Sequence, residues 1–218
     1  PIDPPAPSAA PMLNGWNEDG GRRYYYEQGK RKTGWAQIDG SWYYLGTDGA
    51  MQSDKWVSSG GQWFHLSADG TMSTGWTEVG NAWYFLNADG VMQSNTWIDS
   101  GGRWFYLDAS GAMLTSTWLS QGDSWYYLGA DGSMATGWTQ IDGAWYYLGG
   151  DGAITTGWTR VGGSWYYFNT NGVMQSDKWI SSGGQWFRLG DSGAMVTSTW
   201  LSQGGSWYYL YADGSMAT

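Results

Sequence analysis

The chain of 218 residues has no cysteine, so disulfides and thiolate chemistry are excluded. Charge is scarce as well: 13% of residues are Asp, Glu, Lys or Arg, with a net charge of −9. That balance argues against nucleic acid, whose binders need a basic footprint, and leans towards a cationic ligand. There is a single His. No apolar run approaches the roughly 18 residues a membrane span needs, and no signal peptide is visible, so if the parent is secreted this sequence is expected to be a mature fragment of it. Proline is confined to the first eleven residues, PIDPPAPSAAP. Residues 1–14 read as a semi-rigid linker to something upstream.

Aromatics are abundant, with 19 Trp and 16 Tyr against 5 Phe, alongside 36 Gly. A compact core draws mainly on Leu, Ile and Val, whereas rings with a polar tip suit positions dry at one end and wet at the other. The spacing of Trp explains the excess. Trp16, Trp35, Trp56, Trp76, Trp97, Trp118, Trp138, Trp158, Trp179 and Trp200 recur every 19 to 21 residues. Take each as position zero of a repeat. From Trp35 onward a second Trp follows at position seven (Trp42, Trp63, Trp83 and so on to Trp207), and Met stands at position sixteen except for Ile154. The unit at Trp16 is degenerate, with Arg23 at position seven and Lys30, Arg31 and Lys32 following. Residues 15–34 thus read as a capping repeat and 35–218 as nine full ones.

Each unit reads as a β-hairpin. Positions four and five are Asp39-Gly40, Gly60-Gly61, Gly80-Asn81, Gly122-Asp123 and similar pairs, which tolerate the positive φ of a two-residue turn. In that register position zero faces nine, one faces eight, two faces seven and three faces six. Alternation then places positions one, three, eight and ten on one face and both Trp, position two and position nine on the other. Position eight is always Tyr or Phe and ten always Leu or Phe, so these are expected in the core. Position nine admits His65 and Arg188, so the two-Trp face is expected to border solvent. The fold class is therefore all-β, a solenoid of stacked hairpins, since lone hairpins are barely stable.

Trp and Tyr walls around a void suit a quaternary ammonium ion, whose diffuse charge cannot accept or donate hydrogen bonds; a Met thioether is soft enough to floor such a cage. Regular Trp can also be solenoid packing alone, and aromatic platforms serve sugars too. No constellation for catalysis surrounds His65. Most Asp residues fall in turns (Asp39, Asp48, Asp69, Asp89, Asp131, Asp142, Asp151, Asp213), where side-chain-to-backbone bonds account for them. The ligand spacing of a calcium loop is missing, and neither metal nor cofactor is expected.

The pattern Gly34-Trp35…Gly40-Ser41-Trp42-Tyr43-Tyr44-Leu45…Asp48-Gly49-Ala50-Met51 resembles the choline-binding, or cell-wall-binding, repeats of Gram-positive bacteria and their phages, from Trp16 to Thr218. The resemblance implies a left-handed superhelix of hairpins with choline of teichoic or lipoteichoic acid held between successive repeats, on a secreted, wall-attached protein without catalysis of its own. It implies cages formed by two Trp and the Met of one unit with the position-nine aromatic of the next. Carried over, these are Trp56, Trp63, Met72 and Phe85; Trp76, Trp83, Met92 and Tyr106; Trp97, Trp104, Met113 and Tyr127; Trp118, Trp125, Met134 and Tyr147; Trp179, Trp186, Met195 and Tyr209; and Trp138, Trp145 and Tyr167 with Ile154. By the same reasoning His65 departs from the pattern beside Trp35 and Trp42, and Arg188 beside Trp158 and Trp165, where it should repel a cation. Trp200 and Trp207 lack a following repeat in this sequence, which makes them a candidate homodimer face. Glucan-binding repeats share the Gly-Trp and Tyr-Tyr theme and form the alternative, but typically lack the second Trp. Two connector lengths, four residues from Met to the next Trp or five, suggest two stacking geometries.

Overall fold

The computed structural model describes residues 12–217, so residues 1–11 of the expected linker lie outside the described part. Those residues form twenty-one short strands and no helix. Contacts divide the chain into two compact units, Pro1–Trp97 with Leu107–Met113, and Ile98–Tyr106 with Leu114–Thr218. Each is a succession of antiparallel hairpins, named here by the Trp at position zero.

The expected register holds. In the Trp35 hairpin, Gly34–Ile38 pairs with Ser41–Leu45, setting Trp35 opposite Tyr44 and Gln37 opposite Trp42. Turn chemistry follows the residue pair. Asp39-Gly40 and Gly60-Gly61 have positive φ at both residues, as a type I′ turn requires, whereas Gly80-Asn81 and Gly122-Asp123 have it at the glycine alone. The first sheet gains a third strand, Lys30–Arg31, against Tyr26 and Glu27, where the sequence shows only a basic run. Arg31 explains it: the guanidinium lies 3.9 Å from the Tyr24 ring centre and donates to the Tyr26 hydroxyl.

Position ten is the core. Leu45, Leu66, Leu86 and Leu107 in the first unit, and Leu128, Leu148, Phe168, Leu189 and Leu210 in the second, are 0% exposed. Position eight, expected beside them, is mostly half-buried, because it has a second task described below. Hairpins are bonded to their neighbours by backbone. The N–H of position sixteen in one hairpin donates to the position-seven carbonyl of the hairpin before it: Met72 to Trp42, Met92 to Trp63, Met174 to Trp145 and Met195 to Trp165, all at 2.7–2.8 Å.

The two connector lengths are absorbed by one residue each. Four-residue connectors end in a glycine of positive φ such as Gly75 or Gly137; five-residue connectors put positive φ on Asp54, Asn95, Ser116, Asp177 or Ser198. In the latter group that residue's N–H donates across the hairpin, as Asp54 does to the Ser67 carbonyl and Asp177 to that of Gly190.

Candidate aromatic cages

The inter-hairpin bond between positions sixteen and seven decides which side chains meet. It brings the Met of a hairpin beneath the Trp pair of the preceding one. Strand alternation then turns the position-eight ring of that same hairpin towards the preceding position-zero Trp. Phe64 meets Trp35 edge to face at 4.9 Å, Tyr146 meets Trp118 at 5.1 Å, Tyr166 meets Trp138 at 4.8 Å and Phe187 meets Trp158 at 5.2 Å.

Four cavities of about 280 to 370 Å³ result. Trp35, Trp42, Phe64 and Met72 line the first; Trp118, Trp125, Tyr146 and Ile154 the second; Trp138, Trp145, Tyr166 and Met174 the third; Trp158, Trp165, Phe187 and Met195 the fourth. Such volumes lie at the small end for ligand pockets. The position-seven Trp forms the outer wall of each: Trp42, Trp125, Trp145 and Trp165 are 41–49% exposed. Two further groups have the same layout. Tyr84 meets Trp56 at 4.9 Å while Met92 bonds to the Trp63 carbonyl, and Tyr208 meets Trp179 at 5.4 Å while Met216 bonds to that of Trp186.

The structure therefore partitions the expected residues differently. In each cavity the two Trp of one hairpin stand together, and Met72, expected with Trp56 and Trp63, floors the cavity of Trp35 and Trp42, while Met195, expected with Trp179 and Trp186, floors that of Trp158 and Trp165. At the Trp118 and Trp138 cavities the third wall is the position-eight ring, Tyr146 or Tyr166, and not the expected Tyr147 or Tyr167. Phe85, Tyr127, Tyr147 and Tyr167 meet the position-zero Trp of their own hairpins (Trp76, Trp118, Trp138 and Trp158) edge to face, and Tyr209 meets Trp200 tilted, all at 5.2–5.3 Å. Directly paired residues of a hairpin share a face at close range, and that pairing takes the ring. Met113 and Met134 obey the same backbone rule, donating to the Trp83 and Trp104 carbonyls. The missed residues are the position-eight aromatics. Their unbroken Tyr-or-Phe character is visible in the sequence, where it points to the core.

This shift corrects two further expectations. His65 and Arg188 do not disturb the cavities beside Trp35 and Trp158, because position nine is turned away from them. Both are buried, at 6% and 9% exposure. His65 lies against Trp56 at 5.1 Å with Nδ1 3.1 Å from Ser73 Oγ, and burial pushes its pKa below the ordinary value. Arg188 sits opposite Trp179 and is ion-paired with Asp177. At these two repeats position nine is buried, whereas the aromatic residues that hold it in the other repeats are half-buried.

The degenerate first unit keeps half of the arrangement. Tyr43 meets Trp16 edge to face at 5.0 Å, and Met51 donates its N–H to the Arg23 carbonyl. Where the second Trp would stand, the Arg23 guanidinium lies over the Trp16 ring, 4.6 Å from its centre.

Most of the turn aspartates behave as the sequence suggests; Asp89 does not, because Asn87 Oδ1 takes the backbone N–H groups of that turn. Asp48, Asp69, Asp131, Asp151 and Asp213 each accept the N–H two residues on. Asp69, with bonds from Ser67 and Thr71 as well, is held at a pKa of about 2. Among the described residues no helix is long and apolar enough to cross a membrane.

The repeats match known families. Residues 73–118, 120–154 and 155–200 match the choline-binding repeat, and 33–51, 54–72 and 198–216 match the putative cell wall binding repeat. No curated protein is matched. Among solved structures, the choline-binding domain of CbpL from Streptococcus pneumoniae is 31% identical, with a TM-score of 0.68 over 86% of this chain and 98% of that one. CbpJ from Streptococcus pneumoniae TIGR4 is 26% identical, with a TM-score of 0.63 over 93% of both chains. The modular autolysin LytC from Streptococcus pneumoniae is 28% identical, with a TM-score of 0.74 over 94% of this chain and 46% of that one. The chain belongs to the choline-binding repeat family of cell-wall-binding proteins.

Proposed function

We propose that the repeats anchor a secreted protein to the bacterial surface by holding the choline groups of teichoic or lipoteichoic acid in their aromatic cages. The observation that carries this reading is the common build of the four cavities: three aromatic walls, a Met or Ile floor, and a mouth open to solvent. Ring faces attract a cation through their quadrupole, and a trimethylammonium group, unlike a primary amine, demands no hydrogen-bond acceptor. The first unit supports it from within, because Arg23 there sets a guanidinium against the position-zero ring that in other units is left for a ligand.

Three walls at about 0.5–2 kcal/mol each give affinity near the millimolar range per site. Retention on a wall polymer then comes from several sites engaging one chain. The module does no chemistry itself in this reading, and any catalysis belongs to segments joined to it. A glucan-binding role finds less support: the residues at the cavity mouths, Asp89, Asn171 and Ser192 among them, form no constant polar set for fixing hydroxyls.

The test is titration with choline, followed by Trp fluorescence and thermal melting, beside glucose oligomers and 3,3-dimethylbutanol, the uncharged isostere of choline. Millimolar saturation by choline with a raised melting temperature, and no response to the isostere at equal concentration, is the expected result. A response to glucan alone would transfer the sites to carbohydrate.

A further inference from the structure

The four cavities share walls and floor but differ at the rim. The rim residue comes from neither of the two hairpins that supply the aromatics. It is position thirteen of the hairpin after those. Asp89 borders the cavity of Trp35 and Trp42, and Asp213 that of Trp158 and Trp165. At the cavities of Trp118 and Trp138 the same place is taken by Asn171 and Ser192.

A glycine explains how the chain reaches so far. Position fourteen (Gly90, Gly172, Gly193 and Gly214) has φ between 75° and 83° and rests on the floor residue of the cavity. A Cβ there would overlap Met72, Ile154, Met174 and Met195 respectively. Each turn is seated on the floor of a cage two hairpins back, and the residue before the glycine is thereby held at its mouth.

Building on the cation-binding reading, we infer that position thirteen grades the cages: each site is a product of three consecutive hairpins, and the carboxylates of Asp89 and Asp213 make their cages tighter for a small cation than those rimmed by Asn171 and Ser192. The charges at these two rims are available. Four ion pairs exist among the described residues, and two of them neutralise turn aspartates of the same position, Asp48 by Arg22 and Asp131 by Arg103. Those arginines stand at position six, where the hairpins preceding Asp89 and Asp213 carry the uncharged Gln62 and Gln185. Asp213 is held ionised by the N–H and hydroxyl of Ser215, at 2.9 and 2.7 Å, which keep its pKa below the usual carboxylate range. In the other turn Asn87 Oδ1 accepts the N–H groups of Asp89 and Val91, so the Asp89 carboxylate is not needed to form the turn.

The experiment uses crystals of the whole chain soaked in graded arsenocholine, whose anomalous scattering reports the occupancy of each cage separately. At sub-saturating concentration the Trp35 and Trp158 cages should fill before the Trp118 and Trp138 cages. Asp213→Asn should lower affinity at the Trp158 cage about threefold to tenfold, the effect of one solvent-screened unit charge a few ångström from the ammonium. Asn171→Asp should raise it at the Trp118 cage by a similar factor. Both differences should shrink in 1 M salt. Asn retains an acceptor oxygen for Ser215, so the Asp213 turn survives the change, and the Asn171 variant gives an independent reading. Arsenocholine bound at all four cages with affinities indifferent to both substitutions would overturn the grading while leaving the cation reading intact. Empty cages throughout would sink both.

Discussion

Gly90 is the most direct test of how the cages are built. Its φ of 77° strains any L-residue, and a Cβ there would come within 2.5 Å of Met72 Cε and closer still to the sulfur. Gly40 supplies the control, with φ 85° and nothing within 4 Å of its added Cβ. Gly→Ala at positive φ costs about 1–2 kcal/mol in the folded chain, partly offset by the lower entropy of the unfolded one. Both variants bear that cost. Gly90→Ala must in addition push the Met72 side chain aside, and overpacking of that kind costs about 1–3 kcal/mol more. The excess appears in thermal unfolding as a larger drop for Gly90→Ala than for Gly40→Ala, at about 2–4 °C per kcal/mol for a chain of this size. Binding separates them further: displacing the thioether removes the floor of the Trp35–Trp42 cage, so occupancy there falls while Gly40→Ala retains it. Adding Met72→Ala to Gly90→Ala removes the overlap, and the pair should couple by about 1 kcal/mol or more. Equal destabilisation by the two Gly→Ala variants, with occupancy of that cage unchanged in both, would refute the seating of the turn on Met72.

Three other outcomes follow from single residues. Arg23→Trp places the missing wall beside Trp16, Tyr43 and Met51 and should add one choline to the stoichiometry measured by calorimetry. His65, whose pKa burial lowers, binds its proton more readily in the unfolded chain; stability should be full above about pH 6.5 and decline as pH falls from there towards the lower folded value. His65→Phe, the residue type of Phe85 at the same position, should abolish that decline between pH 7 and 5 in melting curves. Asp177→Ala leaves the buried Arg188 guanidinium without its ion-pair partner; because Asp177 is itself largely exposed the loss should be about 1–2 kcal/mol, and Arg188→Tyr in the same background should restore the melting temperature.

Hairpins, turns and register were legible because they depend on local chemistry. An Asp-Gly or Gly-Gly pair between two five-residue strands permits few alternatives, and Trp35 opposite Tyr44 follows from a count of residues. The floor and third wall of the cages were not legible, since they depend on how one hairpin lies on the next. Nothing in the run from Tyr43 to Tyr44 says which ring turns inward against its own hairpin and which outward to the neighbour. The tolerance of His65 and Arg188 at position nine suggested a wet position. In the structure it reflects burial with private partners: Ser73 for the histidine and Asp177 for the arginine. Variation along a repeat series therefore marks a position whose neighbours can be re-tailored locally, and that condition is met as readily inside the fold as on its surface.

The invariance of position eight has the complementary cause. That ring is shared: it belongs to one hairpin and serves the Trp pair of another, as Phe64 does for Trp35 and Phe187 for Trp158. A residue answerable to two units has no single partner that could compensate a change. The same holds for position fourteen, where glycine is kept because its Cα lies on the floor residue of a cage whose Trp pair is two hairpins back. Position thirteen sits beside it without such a steric demand, and there Asp, Asn and Ser all occur at the mouths of otherwise similar cavities. The fold thus fixes the aromatic frame of every site while leaving one exposed turn residue free to vary, which lets a chain of near-identical repeats carry sites of unequal strength without altering the hairpins that build them.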